Sequence, residues 1–169
     1  MDTSESEDSL YLAVGSETAQ VAAVLERVAQ FTRRQGQGDT NALLLVIREL
    51  LINAIVHGNE SKTSRIALVR IARRGEHFEV QVDDEGEGFD YETLDLDLPD
   101  DPQSLDGRGL VLVHELSKEL AFERGGRRVR AIVYPDDIWQ ESARGGFGPA
   151  ENNKYVREAS CTSPMGKSL

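Results

Sequence analysis

Apolar and polar positions along the chain switch between two periods, and each switch marks an element. Leu10–Val14 (LYLAV) has the length and residue types of a short strand, closed by Gly15 and Ser16. Ser16 then reads as the N-cap of a helix whose apolar stripe is Ala19, Ala22, Ala23, Val24, Val28 and Phe31. That helix is predicted to end in Gln35-Gly36-Gln37-Gly38, with Asp39 or Thr40 capping the next one. The second helix, Leu43–Asn59 (LLLVIRELLINAIVHGN), is mostly apolar, and Gly58 is its expected stop. Arg65–Ala72 and His77–Asp83 read as antiparallel neighbours joined by a turn at Arg73–Glu76. Phe78, Val80 and Val82 line one face of the second of these strands.

This strand runs into Asp84-Glu85-Gly86-Glu87-Gly88-Phe89. A stretch without periodicity follows, Asp90–Asp106, long enough to be read as a functional loop. Gly107-Arg108-Gly109 then opens a helical stretch, Leu110–Leu116. Two further strands, Leu120–Glu123 and Val129–Tyr134, are joined through Gly125-Gly126, and Pro135 ends the regular pattern. Residues 1–8 are acidic and expected to be disordered. Residues 9–135 form the domain, and 136–169 read as a polar tail with scattered apolar residues around Trp139. The pattern predicts an α+β fold, with helices over one face of a mixed, mainly antiparallel sheet.

With 169 residues, the chain fits one domain with a full core. A formal net charge of -11 argues against binding nucleic acid or anionic membranes, which requires a basic surface. The longest apolar run, Ala42–Ile47, is too short to span a bilayer, and Met1–Asp8 is acidic where a signal peptide is basic; a cytoplasmic location is expected. The single cysteine, Cys161, has no partner for a disulfide or a Cys-rich metal site.

Candidate chemistry sits in three places. Glu49 and Asn53 are four residues apart and therefore share one helix face, where a carboxylate among apolar residues is costly unless it is paired or faces a cleft. Asp84-x-Gly86-x-Gly88 follows a strand, and Gly107-Arg108-Gly109 precedes a helix. Each has a purely structural explanation on its own: a solvated face, a sharp turn, a common glycine loop. Their order points to a nucleotide cleft. Backbone N–H groups of Gly107 and Gly109 at a helix start suit phosphates, with Arg108 adding a cation. Asn53 suits a Mg²⁺ that keeps its waters and phosphate ligands, and Glu49 suits a general base. Asp84 offers an acceptor for the exocyclic amine of adenine, with Gly86 and Gly88 leaving room for the ring.

At these residues the chain resembles a known superfamily. ELLINAIVHGN, DDEGEGFD and DGRGLVL resemble the N, G1 and G2 boxes of GHKL (Bergerat-fold) ATP-binding domains, among them gyrase, Hsp90, MutL and sensor histidine kinases. Size and style are most similar to the anti-sigma-factor serine kinases of the RsbW and SpoIIAB type. The resemblance implies a two-layer Bergerat α/β sandwich that binds ATP and Mg²⁺. In it Glu49 would be the catalytic base, Asn53 the Mg²⁺ ligand and Asp84 the adenine-binding carboxylate. Gly86 and Gly88 would shape the adenine side, Arg108, Gly109 and Leu110 would contact phosphates, and Asp90–Asp106 would be the lid. It further implies phosphorylation of a STAS-like anti-sigma-factor antagonist, sequestration of a sigma factor, and a homodimer to which the first helix could contribute. The alternative is an ATP-binding regulator that sequesters its partner without phosphotransfer. One departure stands out: many relatives place a threonine near the start of the last strand, and Gly126-Arg127-Arg128-Val129 has none.

Overall fold

The computed structural model describes residues 1–37, 39–94, 96, 108–135 and 154–157. Among them, seven strands form one sheet in the order β1-β2-β3-β4-β6-β5-β7. The strands are β1 (Asp2–Glu5), β2 (Ser9–Gly15), β3 (Ile66–Arg74), β4 (His77–Asp83), β5 (Glu119–Glu123), β6 (Arg128–Val133) and β7 (Lys154–Arg157). Every pairing is antiparallel except β5 with β7. The expected α+β class, with a mainly antiparallel sheet, is the observed one.

Alternation decides which face of the sheet is covered. In register, Leu12 pairs with Val69, Val69 with Val82, Val82 with Val129, and Val129 with Phe122, so one apolar row crosses five strands. Three helices lie over that face: α1 (Val21–Arg34), α2 (Asn41–Ile52) and α3 (Arg108–Leu116). Val24, Val28 and Phe31 of α1 and Leu43, Val46, Ile47, Leu50 and Leu51 of α2 are buried against it. Asn41–Gly58 is long and apolar enough to cross a membrane by length and composition, but here its apolar side is the core layer. Of the expected α1 stripe, Val24, Val28 and Phe31 are core, whereas Ala19, Ala22 and Ala23 are exposed.

Three local expectations are corrected. Residues 1–8 are not wholly without structure: Asp2–Glu5 pairs with β2 as an edge strand, and Glu5 forms ion pairs with Arg27, at 3.2 Å, and with Arg34 of α1. A composition that buries nothing by itself is ordered here by a free sheet edge and two cations. Ser16 does not cap α1, which begins after a 3₁₀ turn at Thr18–Gln20. Its hydroxyl is buried and donates to the Arg65 carbonyl at 2.9 Å. Gly58 does not end α2 by a left-handed turn. The helix widens into a π turn over Asn53–Gly58, closed by the Asn59 N–H donating to the Ala54 carbonyl at 2.7 Å. Of the two expected caps, Thr40 holds the N-cap position of α2 without a side-chain capping bond, and the Asp39 carboxylate just before it accepts from the Asn41 N–H at 3.1 Å. The tail lies outside the described residues except for β7.

Candidate functional site

The wide turn at the end of α2 delivers the helix end to the end of β4, where the site is built. Asn59, the last residue of the HGN run, is fully buried and ties three elements together. Its Nδ2 donates to Ser16 Oγ at 2.8 Å and to the Ile66 carbonyl at 2.9 Å, while its Oδ1 accepts from the Glu85 N–H at 2.8 Å. In the sequence, Asn59 reads only as a helix terminus. An asparagine following a glycine at a helix end is common, and nothing local reveals that it faces inward. Asn59→Ala would leave these buried partners unsatisfied. The expected loss is about 2–4 kcal/mol of unfolding free energy, measured by urea denaturation.

Asp84 stands at the end of β4, on the far side of the site from Glu49. Its Oδ1 accepts from the Gly86 N–H at 2.8 Å, and its own N–H donates to the Arg127 carbonyl at 3.0 Å. Close approach explains two glycines here. A Cβ on Gly58 would lie 2.4 Å from the Asp84 carboxyl carbon, and one on Gly86 would lie 2.1 Å from the Gly58 carbonyl oxygen. The HG of the helix and the DEG of the strand end are therefore one packed unit. Burial pushes the Asp84 carboxyl above the usual carboxylate range. The Gly86 N–H and the Arg127 charge oppose that rise, Asp83 adds to it and Arg65 opposes it.

Glu49 marks the other end. Its carboxylate is largely buried, pairs with Arg48, and faces the first turn of α3: a Cβ on Gly109 would sit 2.8 Å from its Oε2. The N-terminal turn of α3, a natural seat for anions, is thus set beside the carboxylate. Arg108 opens that helix, and Leu110 packs partly buried against the core. Gly107 and most of the expected lid lie outside the described residues. The described start of that segment is fastened down, with Tyr91 stacked on Phe122 at 5.6 Å and Phe89 edge-on to Phe122 at 5.7 Å. Gly109→Ala is expected to displace the Glu49 carboxylate and to lower any phosphotransfer more than tenfold, checked by single-turnover kinetics.

Between the two ends lies Asn53, at the start of the π turn. Its Nδ2 is buried and has no hydrogen-bond partner among the described residues. An unsatisfied buried amide on the helix face that carries Glu49 calls for a polar ligand. Among the described residues no cluster of three or more His, Cys, Asp or Glu side chains could hold a metal. The Asn53 Nδ2 donor suits a phosphate oxygen, and Oδ1 of the same amide is the atom that would ligate a Mg²⁺ arriving on the phosphates. A groove of about 480 Å³ lies on the opposite, uncovered face of the sheet, bordered by Tyr11, Leu68, Arg70 and Asp83; it shares no residue with this cleft.

A comparison with known families identifies the domain that carries these residues. The model of the histidine kinase-like ATPase domain matches residues 14–133. The chain belongs to this family. No curated protein matches the chain. As a histidine kinase-like ATPase domain it is an ATP-binding module, and its matched segment contains all three site regions: the α2–π turn, the β4 end and the start of α3. Asp83, adjacent to Asp84, is a further residue that sequence reading passed over. It points to the uncovered face, where Arg128 and Arg124 bind its carboxylate at 2.7 and 3.3 Å.

Proposed function

We propose that this ATPase domain is a protein serine/threonine kinase and anti-sigma factor of a partner-switching system. In this reading it phosphorylates a STAS-like anti-sigma-factor antagonist, and in the alternative complex it holds a sigma factor inactive in the cytoplasm, acting as a homodimer. The observation that carries the kinase reading is the Glu49 carboxylate set against Gly109 in the first turn of α3, on the helix face that carries the unsatisfied Asn53 amide. A carboxylate beside the N-terminal turn of a helix suits a proton acceptor next to bound phosphates, as transfer to a hydroxyl requires, and this supports the reading. Glu49 takes the proton of the attacking serine or threonine hydroxyl. The backbone N–H groups at the start of α3 hold the phosphates, and Asp84 accepts from the exocyclic amine of adenine. Bound Mg²⁺ supplies charge neutralisation on the phosphate oxygens, with Asn53 as its ligand from the protein.

A second reading is an ATP-dependent sequestering protein without phosphotransfer. The Arg48 ion pair favours it, because it occupies the carboxylate that the kinase reading needs free. The test is incubation of the chain with γ-labelled ATP, Mg²⁺ and the STAS-domain proteins of the same organism. Label on a serine or threonine of one of them supports the kinase. ATP binding with no label on any of them supports sequestration.

A further inference from the structure

Arg127 and Asp84 face one another across the end of the β4–β6 ladder. The last laddered pair is Asp83 with Arg128, and both of those side chains lie on the uncovered face, so alternation puts Asp84 and Arg127 on the cleft face. Backbone and side chain of Arg127 are both held in place. Its carbonyl accepts the Asp84 N–H at 3.0 Å, and its Nε donates to the Arg124 carbonyl at 3.0 Å. Its Cγ lies 3.3 Å from where a Cβ on Gly88 would stand. Gly88, at φ +83°, is also pressed against the Gly125 carbonyl, so the glycine turn after β4 and the β5–β6 hairpin form one contact.

The charges near this contact divide by face. Arg124 and Arg128 are engaged by Asp83 on the uncovered side. Asp84 forms no ion pair among the described residues. The charged groups that act on it are Arg127 from β6, Arg65 ahead of β3 and the neighbouring Asp83, and Arg127 is the stronger of the two cations. We propose that Arg127 is the positioning residue of the base-reading carboxylate. Its carbonyl pins the end of β4, and its guanidinium holds a fixed positive charge opposite Asp84, so that the side chain stays an acceptor for an exocyclic amine. This inference rests on the reading of the cleft as an adenine nucleotide site. It predicts that Arg127 controls how far the pH can fall before the site loses its ligand. Burial favours the protonated, non-accepting Asp84, and Arg127 opposes it.

The experiment is calorimetric titration of the full chain with ATP and Mg²⁺ from about pH 5 to about pH 8, on the wild type, Arg127→Gln and Arg127→Lys. All three keep the main-chain carbonyl, and thermal melts confirm that each is folded. In Arg127→Gln the fall of affinity on acidification is expected to begin at higher pH. The deficit against wild type would be about 3- to 10-fold near the acid end and would narrow toward neutral pH. Arg127→Lys is expected to restore the wild-type profile. A Gln profile that superimposes on the wild type overturns the proposal, as does a loss that is equal at all pH values and not rescued by Lys. Wild type without ATP binding at any pH removes the adenine reading and this inference with it, whereas normal wild-type binding with an unshifted Gln variant removes this inference alone.

Discussion

Asp84→Asn is expected to weaken ATP binding about 10- to 100-fold, because a charge-assisted hydrogen bond to the adenine amine is worth about 1.5–3 kcal/mol. Calorimetry on wild type and variant measures it. Folding should be unaffected, and the structure gives the reason. The contact that shapes the turn is the Gly86 N–H donating to Oδ1, and an asparagine carbonyl accepts it equally well. The sign of the electrostatic contribution agrees. Asp84 has a raised pKa in the folded chain, so the protonated form is favoured by folding. The stability it contributes is present at low pH and is lost as pH rises through the folded pKa, so at neutral pH the ionised carboxylate is a cost. Asn removes that cost. A melting temperature equal to or slightly above the wild-type value, together with lost binding, identifies Asp84 as a residue kept for its ligand. Unchanged ATP affinity in the variant would show that the carboxylate does not read the base.

Glu49→Gln is expected to lower phosphotransfer by about 10²- to 10⁴-fold, the usual share of a positioned general base, while ATP affinity stays within about threefold of wild type. The carboxylate faces the start of α3 from the helix side, so the isosteric amide still fits beside Gly109. The ion pair with Arg48 is lost, but Arg48 is half exposed. Such a pair is worth about 0–1 kcal/mol, and a fall in melting temperature cannot explain the lost activity. Single-turnover transfer of labelled phosphate, with calorimetry on the same preparations, separates the two quantities. Transfer at the wild-type rate would exclude Glu49 as the base.

Several features of this protein were legible in the linear sequence because they are local or periodic. The Phe78, Val80, Val82 alternation reappears as the covered face of β4. The α1 stripe through Val24, Val28 and Phe31 is buried as its spacing requires, and the sharp turn between Arg74 and His77 is where Gly75 predicted it. The three glycine-bearing boxes were visible for the same reason: chemistry that needs bare backbone leaves glycines in the sequence.

The sequence by itself thus determined the class of fold, the helix face that carries Glu49 and Asn53, and the strand end that carries Asp84. What it could not contain was every relation between distant segments. That Gly58 is a glycine because Asp84 lies against it, and that Asn59 is a buried strut and Ser16 its partner, are decided by contacts tens of residues apart, and that Asp2–Glu5 is a strand is decided by the free edge of β2. Even the π turn that carries Gly58 and Asn59 to β4 overrides an uninterrupted helical pattern. The physical reason is the same in each case. Propensity and period act over a turn or a strand, whereas the energy of burying an amide or seating a carboxylate is set by partners that only the folded sheet brings within reach.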